Sequence, residues 1–176
     1  MKPLRLKMQA FGSYGKETTI DFEKVNQNLF LITGDTGAGK TTIFDAIVFA
    51  LYGEASSSLN KKEGVVLQSQ YVDFDSEPYV ELVFSEGRDE KREIYTVRRV
   101  PRHLKTITRG ANKGKPKENT GSVSLIMPDG LEYPSKEADR KLQETVGLTK
   151  SQFMQVAMIA PVSYTHLRAH ETCADL

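Results

Sequence analysis

A loop rich in glycine, with one lysine and adjacent threonines, contains the residues of this sequence that could do chemistry. Its spacing is Gly-x4-Gly-Lys-Thr, and its members are Gly34, Asp35, Thr36, Gly37, Ala38, Gly39, Lys40, Thr41 and Thr42. Glycine backbone can wrap closely around an anion, lysine adds a positive charge, and a threonine hydroxyl can bind Mg²⁺. The spacing therefore predicts a site for nucleotide phosphates and Mg²⁺, the alternative being a glycine-rich turn between a strand and a helix.

The sequence on either side of the loop supplies the two elements that position such a site. Residues 29–32 are apolar, and we predict a buried strand over residues 28–33 that delivers the loop. After the loop, apolar residues recur at helical spacing from Ile43 to Leu51, and Gly53 is placed to end this helix. The N-terminus of the helix would then face the phosphates.

Hydrophobic periodicity and turn residues predict six further strands and two further helices. The strands lie over residues 4–10, 18–22, 79–84, 94–100, 122–127 and 131–133. The helices lie over residues 136–146, ended by Gly147, and from a capping box at residues 149–152 to about Ala160. The predicted fold class is therefore α/β, with antiparallel β-ribbons beside a mixed sheet.

Length and composition set broad limits on the class of protein. The chain has 176 residues, 39% of them hydrophobic, and a formal net charge of +1. This is enough for one sizeable core, and the overall charge indicates no acidic partner. No apolar run is long enough to span a membrane and no signal peptide is recognisable, so we expect a cytoplasmic protein without a membrane partner. One cysteine, Cys173, excludes an internal disulfide.

Local charge is concentrated between residues 98 and 118. Eight basic residues and one acid, Glu118, give this segment a net charge of +7. The basic residues are Arg98, Arg99, Arg102, Lys105, Arg109, Lys113, Lys115 and Lys117. Such a segment is either a solvated flexible loop or a surface that contacts a nucleic-acid backbone, and Gly110, Gly114 and Pro116 favour flexibility in either case.

Several stretches outside the loop carry a family resemblance. They are residues 11–14, 29–47 and 50–53, extended by residues 79–82, 95–99 and 153–160. Over residues 1 to about 160 the chain resembles the opening of the SbcC family, the SMC-like ATPase subunits of bacterial SbcCD exonucleases. The resemblance implies one incomplete domain, residues 1–160, that is the N-terminal lobe of an ABC/SMC-type P-loop ATPase head.

The resemblance also implies cofactors, partners and residue roles. ATP and Mg²⁺ would be the cofactors. Residues 34–42 would cradle the phosphates, Lys40 would neutralise charge during phosphoryl transfer, Thr41 would bind Mg²⁺, and Ser13 and Tyr14 would lie near the nucleotide. The implied partners are the C-terminal lobe of the same full-length chain beyond a coiled coil, a second SbcC head in an ATP sandwich, an SbcD-type nuclease and double-stranded DNA ends.

Several elements of that machinery are missing from the sequence. We find no Walker B run of aliphatic residues followed by Asp-Glu, no Leu-Ser-Gly-Gly-like signature and no sustained heptads. The family's Q-loop glutamine is replaced by Pro161. Because these acids and loops complete the catalytic site in the family, we expect this chain alone to be inactive as an ATPase.

The last residues depart from the family. Residues 162–172 resemble the translation of a sequencing adapter, so residues 161–176 are predicted to be non-native read-through. A competing interpretation takes His166, His170 and Cys173, which have helical spacing, as metal ligands. Resequencing the source locus across codon 160 distinguishes these interpretations.

Other functions fit parts of the pattern. Another ABC or SMC ATPase, of recombination or transport type, would share the loop. A small-molecule P-loop kinase would need an arginine-bearing lid after the first helix, where this sequence has β-ribbons. A non-catalytic nucleic-acid-binding module would use residues 98–117 and keep its DNA affinity in a Lys40→Ala variant, whereas an ATPase lobe would lose nucleotide binding.

Overall fold

The computed structural model of the chain describes residues 1–24, 31–55, 67–87 and 91–157. In these ranges one helix lies between the second and third strands, and two further helices follow the last strand. The strands are β1 (Lys2–Gln9), β2 (Thr18–Asp21), β3 (Tyr79–Glu86), β4 (Glu93–Val100), β5 (His103–Thr106), β6 (Pro116–Asn119), β7 (Ser122–Ile126) and β8 (Glu132–Pro134). The helices are α1 (Lys40–Tyr52), α2 (Ser135–Val146) and α3 (Lys150–Ala157). The six strands predicted outside the loop are thus confirmed in place.

Six of the strands form one sheet. Their order is β2-β1-β3-β4-β7-β8, and each described pair is antiparallel. Alternation in β1 turns Leu4, Leu6 and Met8 inward, where they are buried. The ribbons predicted separately from the sequence are therefore joined into a single sheet, and β5 and β6 form a second, two-stranded sheet.

Helices α1 and α2 cover one face of the six-stranded sheet, and α3 packs against α1. Helix α1 lies against β3 and β4, and α2 lies against β7 and β8. Phe49 of α1 meets Phe11 with ring centroids 5.5 Å apart, and Leu82 of β3 is fully buried in the same core. Burying each such side chain stabilises the fold by about 1.5–3 kcal/mol.

The predicted helix ends are confirmed. Gly53 follows α1 with φ 74°, and its N–H donates to the Phe49 carbonyl at 2.8 Å. Gly147 ends α2 in the same left-handed conformation. At the start of α3 the Thr149 N–H donates to Gln152 Oε1 at 3.0 Å, and the Gln152 N–H donates to Thr149 Oγ1 at 3.3 Å, which is the predicted capping box.

The strand predicted over residues 28–33 is wrong in its described part. Residues 31–33 have no strand assignment, and Leu31 is 87% exposed. A buried parallel strand needs a neighbouring strand on both sides. The described strands pair with one another, and none of them pairs with residues 31–33. We expected a mixed sheet, whereas all of its described strand pairs are antiparallel. Residues 28–30 lie outside the described residues.

Residues 158–176 also lie outside the described ranges, together with the adapter-like segment and His166, His170 and Cys173. Within the described ranges, no helix is long and apolar enough to cross a membrane.

Candidate functional site

The glycine-rich loop forms the turn that leads into α1. Gly37 and Gly39 have φ angles of 86° and 83°, in the left-handed region that favours glycine. Lys40 folds back over the loop, and its Nζ donates to the carbonyls of Gly34 and Asp35, both at 2.6 Å. The loop is thus wrapped around the charged end of Lys40.

The start of α1 has the electrostatic character that an anion requires. Gly39 caps the helix without a side-chain hydrogen bond, and the first turn contains no acidic residue. The free N–H groups and the helix dipole therefore present positive potential at the loop, reinforced by the Lys40 ammonium. Thr41, with its hydroxyl, is exposed on this turn. These residues fit the phosphates of ATP and a Mg²⁺ ion.

A second turn, between β1 and β2, lies against the loop. Ser13 Oγ and Thr42 Oγ1 are 3.2 Å apart and share a hydrogen bond. The Tyr14 ring packs on Gly39, where a Cβ atom would stand 3.0 Å from Tyr14 Cε2, and burial raises the pKa of Tyr14 above its usual value. Gly12 is equally restricted, because a Cβ there would stand 2.6 Å from Thr42. Ser13 and Tyr14, singled out from the sequence, are therefore neighbours of the loop.

This packing yields a prediction for Gly39→Ala. The new methyl group meets Tyr14 and Ser13, and the left-handed φ is strained for alanine, so we expect a loss of about 1–3 kcal/mol in unfolding free energy. We also expect MgATP affinity to fall about tenfold, measured by titration calorimetry. Gly110→Ala is the matched control, since Gly110 has φ 84° but no atom within 4 Å of the place that a Cβ would occupy. Equal losses in the two variants would contradict the role of the Tyr14 contact.

The basic segment is folded, which corrects the expectation of a flexible loop. Strands β5 and β6 pair in register, and the Ile107 N–H donates to the Lys115 carbonyl at 2.9 Å beyond them. Lys105 lies directly opposite Lys117, so the two side chains share a face with about 5 Å between their Cβ atoms. Both are exposed, and no carboxylate of the described residues pairs with either.

We call this surface the lysine face; it consists of Lys105, Lys115 and Lys117. Lys115 is included because it is exposed in the bend directly before β6, two residues from Lys117, where its Nζ donates to Asn112 Oδ1 at 3.2 Å. Like charges placed opposite each other destabilise a sheet, so the hairpin retains an unfavourable arrangement that a bound polyanion would relieve. Arg109 and Lys113 are exposed between the strands, at the tip of the hairpin.

Three arginines of the segment are engaged within the fold, which corrects part of the predicted DNA contact. Arg99 is buried and forms a 2.6 Å ion pair with Asp139. Arg98 pairs with Glu81 at 3.5 Å, and its guanidinium lies 3.7 Å from the centre of the Tyr79 ring. The third, Arg102, pairs with Glu118 at 2.5 Å. Arg99 is thereby withdrawn from the candidates, and the other two are partly neutralised.

Sequence reasoning missed Gln68 and Asp139, which are hydrogen-bonded to Leu104 and Arg99 respectively. Neither Gln68 nor Asp139 lies in a motif. Their bonding partners are 36 and 40 residues away along the chain, so no periodic pattern connects each residue with its partner. Among the described residues no group of three or more His, Cys, Asp or Glu side chains could hold a metal ion by itself.

A loop, helix and turn of this geometry define a P-loop nucleotide-binding protein. The AAA domain family matches residues 5–163, and the chain belongs to this family. The chain is 33% identical over 171 residues to the SbcC component of the SbcCD nuclease of Vibrio cholerae, covering 95% of this chain and 16% of that protein. The corresponding protein of Lactococcus lactis is 28% identical over 165 residues, which is 90% of this chain and 15% of the relative.

A shorter stretch matches at higher identity. The SbcC component of the SbcCD nuclease of Staphylococcus epidermidis is 58% identical over 74 residues, 42% of this chain and 7% of that protein. The resemblance to the SbcC family predicted from the sequence is thus confirmed. The chain spans about a sixth or less of the length of these relatives.

Proposed function

We propose that the chain is the nucleotide-binding lobe of the ATPase subunit of a nuclease complex that processes double-stranded DNA ends in repair and recombination. ATP binding and hydrolysis in the complete head would gate the nuclease subunit. The observation that carries the proposal is the Lys40 ammonium held over a left-handed glycine turn at the N-terminus of α1. Loss of MgATP binding in Lys40→Ala tests it. On this proposal the protein acts in the cytoplasm.

The loop residues would act on ATP through charge and position. Residues 34–42 would bind the phosphates through backbone N–H groups, and Lys40 would neutralise charge at the β- and γ-phosphates. Thr41 would supply a hydroxyl ligand to Mg²⁺, and the ion would neutralise negative charge on the phosphates. Ser13, held to Thr42 by its hydroxyl, and Tyr14, packed on Gly39, would fix the shape of the loop beside the nucleotide.

The complete head would need a second lobe from the same full-length chain, and then a second head of the same kind. The relatives support the first part of this proposal, since this chain spans only 16% and 15% of the SbcC proteins of Vibrio cholerae and Lactococcus lactis. Because the Walker B acids and the signature motif are missing from its sequence, this chain alone is expected to bind ATP weakly at best and not to hydrolyse it.

DNA is the proposed partner of the lysine hairpin, which is the ribbon of β5 and β6 that carries the lysine face. Lys105 and Lys117 lie opposite each other without a carboxylate of the described residues to balance their charge, which supports a polyanionic ligand. The exposed Arg109 and Lys113 extend the positive surface. Contacts made by lysines to phosphates are independent of base sequence. Arg102 could add a contact only by giving up its pair with Glu118.

A charge-removal experiment tests this partner. Replacing Lys105, Lys115 and Lys117 together by alanine in the full-length protein is expected to weaken binding of duplex DNA of any sequence. The slope of log affinity against log salt should fall by about 2–3, since each lost phosphate contact contributes about 0.9. Fluorescence anisotropy of labelled duplexes at several salt concentrations measures both quantities.

The control for this experiment is the double variant Arg102→Ala, Glu118→Ala. It removes one charge of each sign from the same hairpin and leaves the net charge unchanged, so DNA affinity should remain within about twofold. An unchanged salt slope in the triple lysine variant would show that the hairpin is a solvated surface that does not contact DNA.

A further inference from the structure

The lysine hairpin is attached to the rest of the fold at three places among the described residues. One is its neck, where Gly121 lies so close to β4 that a Cβ atom would stand 2.7 Å from the Val100 carbonyl oxygen. The second is His103 at the start of β5, whose side chain is buried. The third is Leu104 in β5. A two-stranded hairpin is only marginally stable in water by itself, so these attachments decide how the hairpin is held.

The attachment at Leu104 is made by a single side chain. Gln68 Oε1 accepts from the Leu104 N–H at 2.8 Å, and Gln68 Nε2 donates to the Leu104 carbonyl at 3.0 Å. In an antiparallel pair, alternate residues direct both backbone groups away from the partner strand, and Leu104 is such a residue. The Gln68 amide has the donor and acceptor of a peptide group, so it takes the place of a missing neighbouring strand.

Gln68 also belongs to the segment that supports the phosphate loop. The Gly12 N–H donates to the Leu67 carbonyl at 2.9 Å, and the Ser69 N–H donates to the Ala10 carbonyl at 2.7 Å. These bonds join the segment around Gln68 to the turn whose Ser13 contacts Thr42. Gln68 is only 7% exposed, so both of its bonds are shielded from water.

We propose that Gln68 is a positioning residue for DNA binding, because it docks the lysine hairpin onto the backbone frame that holds the phosphate loop. The proposal rests on the proposed contact between the hairpin and DNA. Three lysines meet neighbouring phosphates at once only when the hairpin has a fixed orientation. A hairpin released from Leu104 has to be ordered during binding, and the entropy of that ordering weakens the complex.

The test compares Gln68→Ala, Gln68→Glu and Gln70→Ala in the full-length protein. Gln68→Glu keeps the size of the side chain and its acceptor but places a carboxylate oxygen against the Leu104 carbonyl. Gln70 is an exposed glutamine two residues away and serves as the matched control. The measurements are affinity and salt slope for a duplex of about 30 base pairs, hydrogen exchange of the Leu104 amide, and MgATP affinity.

Gln68→Ala is expected to bind the duplex about tenfold more weakly, with a lower salt slope and faster exchange at Leu104. Gln68→Glu keeps the acceptor for the Leu104 N–H and loses only the bond to the Leu104 carbonyl, so its losses should lie between those of Gln68→Ala and the wild type. MgATP affinity should stay within about twofold in both variants. Gln70→Ala should match the wild type in every measurement. Faster exchange without a change in DNA affinity overturns the proposal, and so does unchanged exchange. A loss of MgATP affinity equal to the loss of DNA affinity overturns it as well, since it indicates general damage to the fold.

The same experiment separates this inference from the proposed function. If the triple lysine variant binds DNA like the wild type, the proposed DNA contact fails, and the Gln68 proposal fails with it. If the triple lysine variant is weakened and the Gln68 variants are not, the DNA contact stands and only the positioning role of Gln68 is overturned.

Discussion

Replacing Lys40 by alanine is expected to lower the affinity of the chain for MgATP at least about 100-fold, because it removes charge-assisted hydrogen bonds to phosphate. The Lys40 ammonium lies 2.6 Å from both the Gly34 and Asp35 carbonyl oxygens, so its charge is centred on the loop. Residues 34–42 contain no second lysine or arginine, and the loss therefore has no substitute within the loop.

Titration calorimetry with MgATP measures this effect on the purified chain. Lys105→Ala is the control, because it removes the same charge from the lysine hairpin and should leave ATP affinity unchanged. Thermal unfolding of the ligand-free Lys40→Ala variant should resemble that of the wild type, since Lys40 is only partly buried and water can replace its bonds. Neither protein should hydrolyse ATP. Retained binding in Lys40→Ala, or hydrolysis by the chain that this variant abolishes, contradicts the proposal.

Features encoded within a few residues of each other could be predicted from the sequence. The phosphate loop, the left-handed glycines after α1 and α2, and the capping box of α3 all depend on side chains and backbone within one or two turns. Alternation of apolar residues likewise located the strands, because it marks which side of a strand is buried. The loop residues were found in this way, and their neighbours Ser13 and Tyr14 were found through the family resemblance.

Features that depend on distant partners could not be predicted in the same way. Gln68 bonds to Leu104 across 36 residues, and Arg99 pairs with Asp139 across 40. Sequence showed Arg99 as one of eight positive charges, but its position on the inward face of β4 takes it into the core. The opposition of Lys105 and Lys117 depends on the register of β5 and β6, which the sequence of the turn did not reveal.

The strand predicted over residues 28–33, which is wrong at the described residues 31–33, has a related cause. Its apolar residues matched the composition of a buried parallel strand, but a strand exists only through bonds to its neighbours. The described sheet pairs β2, β1, β3, β4, β7 and β8 among themselves and leaves Leu31 in solvent. Composition therefore identified a segment suited to burial, while its pairing depends on residues elsewhere.

The buried Arg99 supports the second prediction with a large expected effect. Its Nε donates to the Ala50 carbonyl at 3.1 Å, at the C-terminal end of α1, and its Nη2 lies 2.6 Å from Asp139 Oδ1 on α2. A Cβ on Gly53 would stand 3.0 Å from Arg99 Nη1, so the guanidinium fills the space beside the helix end. The positive charge also complements the negative end of the α1 dipole.

Arg99→Ala is therefore expected to lower the free energy of unfolding by about 3 kcal/mol, combining lost hydrogen bonds with a cavity. The adjacent Arg98→Ala is the control, since Arg98 is 41% exposed and its pair with Glu81 should contribute under about 1 kcal/mol. Asp139→Ala should have an intermediate effect, because Asp139 is half exposed but its removal leaves the buried guanidinium without a counter-charge.

Urea denaturation of the chain, followed by circular dichroism, measures these differences. Because α1 holds the phosphate loop at its other end, saturating MgATP should raise the stability of Arg99→Ala and of the wild type by similar amounts if the site itself is intact. An Arg99→Ala variant no less stable than Arg98→Ala would show that the Asp139 pair and the helix-end contact contribute little. Loss of the MgATP effect in Arg99→Ala alone would instead show that the C-terminal end of α1 controls the shape of the phosphate loop.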